Sequence, residues 1–218
     1  MDAMTYRDRR HAGQVLAAAL KNLRGRDPIV LALPRGGVPV GFEVARALGC
    51  PLDIVSVRKL GAPQQPELAV GAVVDTQPPQ TVVNPDVMNA LGLDQAWLDQ
   101  AAKAQEKELL RRRRLYVGDR PRPALAARQI ILVDDGIATG ASIRAALKGL
   151  RKAKPAELVL AVPVAPPEVL EDLTALCDRI VCPRRPENFG AVGYYYQDFA
   201  QTQDDEVVRL LAEANSPG

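Results

Sequence analysis

The chain has 218 residues, of which 47% are apolar and 25% charged, the balance of a globular protein with a real core. Its 28 basic and 26 acidic residues nearly cancel, which argues against a dedicated nucleic-acid or membrane-surface binder. The longest apolar runs, 130–133 and 158–164, are strand-length and too short to span a bilayer, and a single histidine, His11, excludes a Ser-His-Asp arrangement and a His-rich zinc site.

Asp8 is placed to cap a helix whose apolar positions Val15, Leu16, Ala19, Leu20 and Leu23 fall on one face, with His11 as a solvated or capping residue at its start. Ile29-Val30-Leu31-Ala32-Leu33 reads as a buried strand, followed by Pro34-Arg35-Gly36-Gly37 and a helix that runs to Leu48 and ends at Gly49. A second strand is predicted over 53–58, then a loop rich in Pro, Gln and Gly at 61–66, then a short hairpin over 68–83 interrupted at Pro78-Pro79. A long charged helix follows from Asp94 to about Tyr116, and Asp119-Arg120-Pro121-Arg122-Pro123 breaks it. Its run Arg111-Arg112-Arg113-Arg114 shares the helix with Glu106 and Glu108 and reads as a solvated face. The rest alternates: strand 129–133, loop 134–140, helix 141–153, strand 157–163, helix 167–176, strand 179–182, a polar aromatic connection, and a final helix 204–214.

This alternation implies an α/β fold, doubly wound, with a mostly parallel sheet and helices on both faces. The whole span 1–218 is expected to be a single domain, with 84–123 as an inserted helical segment. Residues 1–10 are charged and lack the apolar stretch of a secretion signal. Cys50, Cys177 and Cys182 form no C-x-x-C pair and read as reduced thiols, so a cytoplasmic location is expected.

Ligands of such sheets bind at the carboxyl ends of the strands. After the strand at 129–133 come Asp134-Asp135-Gly136-Ile137-Ala138-Thr139-Gly140-Ala141-Ser142. Free N–H groups at the following helix start, with the positive end of its dipole, make an anion site, to which the hydroxyls of Thr139 and Ser142 can add. Gly136 and Gly140 let the backbone approach closely. Asp134 and Asp135 would repel a phosphate and suit vicinal ribose hydroxyls instead. Pro34-Arg35-Gly36-Gly37 is a second strand-to-helix loop, with exposed amides and a forked guanidinium for phosphate oxygens. Arg58-Lys59 sets two cations near the end of another strand.

The segment 133–142 resembles the binding motif for 5-phosphoribosyl 1-pyrophosphate (PRPP) of the type I phosphoribosyltransferases, with Ser142 where Thr is commoner. Together with Leu-Pro-Arg-Gly-Gly-Val, Val-Arg-Lys-Leu-Gly-Ala-Pro and Val-Gly-Tyr-Tyr-Tyr-Gln-Asp-Phe, it resembles a bacterial subgroup of that family across nearly the whole chain. The resemblance implies transfer of phosphoribose from PRPP to a nitrogen of a base, with Mg²⁺ carried on PRPP. It implies that Arg35, Gly36, Gly37 and Lys59 meet pyrophosphate, and that Asp134, Asp135, Gly136, Ile137, Ala138, Thr139, Gly140 and Ser142 hold the phosphoribosyl part. It implies no protein-held metal. Residues 61–73 correspond to the family's flexible loop, whose one carboxylate, Glu67, is a candidate for proton transfer. Residues 184–203 correspond to a small C-terminal hood in which Phe189 is placed to stack on the base. Hypoxanthine and guanine enzymes carry Asp where this chain has Ala138, and a Lys on the next strand where 158–164 has none, so a 6-oxopurine acceptor does not follow. A non-catalytic PRPP- or nucleotide-binding regulator of the same fold is the alternative, and homo-oligomerisation stays open.

Overall fold

The structure, a computed structural model, describes residues 5–23 and 27–216; Met1, Asp2, Ala3 and Met4 of the charged N-terminal stretch lie outside the described residues. The chain first forms α1 (Arg9–Ala19), β1 (Pro28–Ala32), α2 (Gly37–Leu48) and β2 (Leu52–Ile54). Then come β3 (Val57–Ala62), β4 (Gln65–Val74), β5 (Gln80–Val83), α3 (Pro85–Ala90) and α4 (Gln95–Val117). Last are β6 (Gln129–Val133), α5 (Ala141–Arg151), β7 (Glu157–Ala161), α6 (Pro167–Leu173), β8 (Arg179–Val181) and α7 (Asp204–Ala214). Asp8 accepts from the His11 N–H at 2.7 Å and caps α1, and Gly49 ends α2 in the left-handed region at φ 67°.

Strands β2-β1-β6-β7-β8, in that order, make an all-parallel sheet. Its apolar runs are unbroken because both faces are covered. Successive side chains leave a strand on opposite sides. Val30, Ala32, Ile131, Val133, Val159 and Ala161 thus pack with α1, α2 and α7, while Ile29, Leu31, Ile130, Leu132, Leu158 and Leu160 pack with α5 and α6. No helix of the described residues is long and apolar enough to cross a membrane.

Between β2 and β6 the structure departs from the sequence reading. The strand expected over 53–58 is split: β2 ends at the last register pair with β1, Ala32 with Ile54, and β3 joins a separate antiparallel sheet, β3-β4-β5. The Val55 N–H still donates to the Ala32 carbonyl at 3.1 Å, and from Val57 the chain pairs with β4 instead of β1. The loop expected at 61–66 is also strand, closed by a tight turn at Pro63-Gln64, and the stretch 61–73 expected to be flexible lies mostly in β3 and β4. One face of this small sheet, with Ala72 and Val74, enters the main core; the other, with Leu60 and Val73, packs on Leu98, Ala102 and Leu109 of α4.

The arginine run is not uniformly solvated. Arg111 and Arg112 lie on the surface, both paired with Glu108, but Arg113 is buried. Arg113 donates to Asp53 Oδ2 at 2.6 Å and to the Ile54 carbonyl at 3.3 Å, and lies 3.9 Å from Asp75 Oδ2. Arg122 donates to the Asp75 carboxylate and, at 2.8 Å, to its carbonyl, and Arg120 lies 3.5 Å from Asp53 Oδ1. Burial pushes the Asp75 carboxyl up, and Arg122 opposes it. Asp53 lies within β2 and Asp75 directly follows β4, so this network joins the parallel sheet, the small sheet and α4.

Removing one partner of a buried ion pair leaves an uncompensated charge, which costs about 3–5 kcal/mol. Arg113→Ala therefore lowers stability by roughly that amount, read as a fall in the urea midpoint, while Arg111→Ala leaves the midpoint near wild type. Equal midpoints for the two variants would show that the Arg113 network carries no stability.

Candidate functional site

Strands β1 and β6 are neighbours at the centre of the sheet, and the chain leaves them in opposite directions, towards β2 and towards β7. A crevice opens outside the carboxyl ends of strands at such a reversal. The Leu33 N–H donates to the Val133 carbonyl at 2.9 Å, so the pairing continues into the loops. Those loops then touch. A Cβ on Gly36 would lie 2.1 Å from Asp135 Oδ2, and one on Gly37 would lie 2.9 Å from the Val133 carbonyl oxygen. Only glycine fits at either place. The Pro34–Arg35 peptide between them and the strand is cis.

The carboxylate loop is held from below. Ile137 is buried, its N–H donates to the Val164 carbonyl at 2.9 Å, and a Cβ on Gly136 would strike Val192 at 2.6 Å. Gly140 takes φ 75° at the α5 N-cap and offers no capping side chain, so the first amides of α5 stay available to an outside acceptor. Ala138, Thr139 and Ser142 are exposed on that rim. Ile137 thus anchors the loop through its side chain.

Asp134 Oδ1 accepts from the Asp135 N–H at 2.9 Å. Burial, and then the neighbouring Asp135 carboxylate, push Asp134 well above the usual carboxylate range. Burial also raises Asp135, and Arg9 opposes it. Arg9 Nε donates to Asp135 Oδ2 at 2.7 Å, its Nη1 donates to the Ala200 carbonyl at 2.6 Å, and its guanidinium lies 3.9 Å from the centre of the Phe199 ring. The Tyr196 hydroxyl donates to the Asp135 carbonyl at 2.5 Å. Sequence reasoning missed Arg9, which sits in a charged N-terminal cluster resembling any solvated helix start. It also missed Asp204, in the first turn of α7, which lies 3.3 Å from Arg35 Nη1 and accepts from the Tyr116 hydroxyl at 2.7 Å. The Tyr116 hydrogen bond and then Arg35 hold Asp204 below the usual range.

The cations of β3 separate by face. Arg58, opposite Val73, turns towards α4 and donates to Gln105 at 3.2 Å; Lys59, opposite Ala72, lies on the face turned to the main core. Lys59 Nζ pairs with the exposed Glu67 at 3.0 Å. Among the described residues, no hydrogen bond or ion pair joins Lys59 or Glu67 to the two loops above. In the 184–203 segment, Phe189 is half-buried and stacked on Tyr195 with ring centres 5.3 Å apart, whereas Tyr194 is 76% exposed. Among the described residues, no group of three or more His, Cys, Asp or Glu side chains is arranged to hold a metal ion.

Residues 6–198 match the model of the phosphoribosyl transferase domain. Two Mycobacterium tuberculosis proteins, each named "Putative phosphoribosyl transferase", are 45% identical over 210 residues, covering 96% of this chain and 47% of their own length. The chain therefore spans about half the length of the curated relatives it matches. The crystal structure of TT1426 from Thermus thermophilus is 46% identical, covers 98% of this chain and 100% of its own, and superposes with a TM-score of 0.85. The architecture of central parallel sheet, adjoining glycine loops and paired carboxylates thus has its family: this chain is a member of the phosphoribosyl transferase domain family.

Proposed function

We propose that this protein transfers a phosphoribosyl group from PRPP to a nitrogen nucleophile and releases pyrophosphate. The observation that carries the reading is the contact of Gly36 with Asp135, which joins an arginine-bearing amide loop and a carboxylate loop into one site. PRPP is anionic at both ends with a dihydroxylated ring between. The α5 N-terminus with Thr139 and Ser142 suits the 5-phosphate. Asp134 and Asp135 suit the ring hydroxyls, and Gly36, Gly37 and Arg35 suit the pyrophosphate. Mg²⁺, a hard cation that keeps water and phosphate oxygens as ligands, would arrive with PRPP and neutralise part of the leaving group's charge.

In the transfer the ribose C1–O bond breaks, pyrophosphate leaves with the electron pair, and a C1–N bond forms as the nitrogen gives up its proton. Cationic charge grows on the ring beside two carboxylates, and anionic charge grows on pyrophosphate beside Arg35 and Lys59. Groups already held in place for such charge are worth more than groups that must reorganise. Glu67, tied to Lys59, is the carboxylate that β4 offers for the released proton. The free thiols Cys50, Cys177 and Cys182 fit a reducing, cytoplasmic setting.

Millimolar PRPP with Mg²⁺ raises the melting temperature, as binding to the folded state requires; no shift in a folded sample removes the ligand assignment. Asp134→Asn with Asp135→Asn abolishes that shift while the circular dichroism stays native, because both residues follow β6 in a loop and belong to neither apolar cluster of the sheet. Undiminished PRPP binding by this double variant would refute the ribose assignment.

Arg35→Ala separates catalysis from binding. Its loss lowers pyrophosphate release by about 10²-fold or more, as for one preorganised donor, and weakens calorimetric PRPP binding much less. Equal losses would make Arg35 a ground-state holder only. A wild type that binds PRPP and turns over no base in a broad panel would favour a non-catalytic PRPP-binding regulator.

A further inference from the structure

Two consecutive carboxylates at the end of a central strand repel each other, and burial disfavours the charge on both. A ring-hydroxyl acceptor is strongest when ionised. Something must hold the charge in place, and one cation reaches the pair among the described residues. Arg9 comes from α1, far from Asp135 in sequence, and meets its Oδ2 at 2.7 Å with only 12% of its own side chain exposed.

We propose that Arg9 is a positioning residue of the substrate site: it keeps Asp135 an ionised, fixed acceptor for the ribose, and it makes that state depend on the seating of the N-terminal segment against the hood. The inference rests on the PRPP reading above and deepens it. Its support is the number of constraints on one guanidinium. Nε is committed to Asp135, Nη1 to the Ala200 carbonyl, and the flat face to the Phe199 ring. The backbone beneath is fixed too. Tyr6 N–H donates to the Tyr195 carbonyl, Gln197 N–H to the Tyr6 carbonyl and Asp198 N–H to the Arg7 carbonyl, each at 2.8 Å.

Among the described residues, the groups facing Asp135 are few. Asp134 lies beside it on the same loop, and Tyr196 from the hood donates to its carbonyl. Gly36 brings bare backbone from the loop after β1, and the neighbouring Arg35 is turned to Asp204. Oδ2 is thus taken by Arg9, and the rest of the carboxylate is left for a ligand. An arginine suits this place better than a lysine, because a planar fork can serve a carboxylate, a carbonyl and an aromatic face together.

The sign of the pH effect follows. Arg9 favours the charged form of Asp135, so removing it raises the pH at which Asp135 takes up a proton. PRPP binding, which needs the ionised acceptor, is then lost at a higher pH as acid is added. The experiment is calorimetric binding of PRPP with Mg²⁺ from pH 5.5 to 9 for wild type, Arg9→Met and Arg9→Lys, beside a carboxyl ¹³C NMR titration of Asp135 in the ligand-free protein. The titration of PRPP itself is common to all three and cancels. Arg9→Met should bind on the order of tenfold more weakly at neutral pH, recover at the alkaline end, and show its acid limb displaced upwards. Arg9→Lys should return the limb towards wild type. Coincident limbs for wild type and Arg9→Met, or an affinity lowered equally at every pH, would overturn the proposal. Should Arg9→Met fail to fold, Phe199→Leu, which removes the ring under the guanidinium, should displace the limb in the same direction by less; an unmoved limb there overturns it equally. A wild type that binds no PRPP defeats the PRPP reading, and the Asp135 NMR titration then still decides whether Arg9 sets its ionisation.

Discussion

The site exists because two parallel strands stay paired one residue beyond the sheet and then turn apart without a side chain between them. Ala32 pairs with Val133, the Leu33 N–H reaches the Val133 carbonyl, and Gly36 and Gly37 lie where any Cβ would collide with the opposite loop. The helices that follow, α2 and α5, start from this edge, so the positive ends of both dipoles open towards the same crevice. The geometry is borrowed from the core. β1 and β6 are clamped from one face by α1, α2 and α7 and from the other by α5 and α6, so the loops inherit the rigidity of close-packed side chains.

The small sheet is attached by a different kind of force. Its apolar faces give it area on both sides, but packed surfaces can slide, and a methyl group contacts its neighbours with little directionality. The Arg113 network is directional. Asp53 in β2 and Asp75 after β4 share one guanidinium, with Arg120 and Arg122 on the outer oxygens. Such networks contribute less to net stability than their Coulomb energy implies, since burying each charge is costly, and they are better suited to selecting one arrangement over its neighbours. In the arrangement the chain adopts, β3 turns Lys59 to the core side and Arg58 to α4.

Much of this was legible in the sequence. Apolar runs such as Ile29-Val30-Leu31 state a strand covered on both faces, and Asp8, Asp94 and Gly49 mark helix ends that the structure reproduces. The carboxylate-glycine loop was legible because its chemistry is local: strand, acceptors, glycines and helix start follow one another in a single continuous stretch. Long-range partnerships were not. The stretch 53–58 carries the pattern of one strand, and only its long-range pairing, with β1 up to Ile54 and with β4 from Val57, divides it between two sheets. Arg113 has the same sequence surroundings as Arg111, and what buries it is Asp53, sixty positions away. Arg9 is hidden for the same reason, since nothing local tells a guanidinium that meets Asp135 from one that meets water.

The two kinds of charge burial in this protein answer opposite demands. Around Asp53 and Asp75 the carboxylates are matched by three arginines, and the result is a fixed joint. At Asp134 and Asp135 only Arg9 is supplied among the described residues, so two carboxylates share one cation and the pair is short of positive charge. A shortage of this sort costs stability, and the surroundings offset it with apolar anchoring through Ile137 and a hydroxyl bond from Tyr196. A ligand that brings hydroxyl donors, and a ring on which positive charge develops, relieves the shortage most when that charge is greatest. On the phosphoribosyl-transfer reading proposed above, incomplete compensation at rest would let the site favour the transition state over the bound substrate.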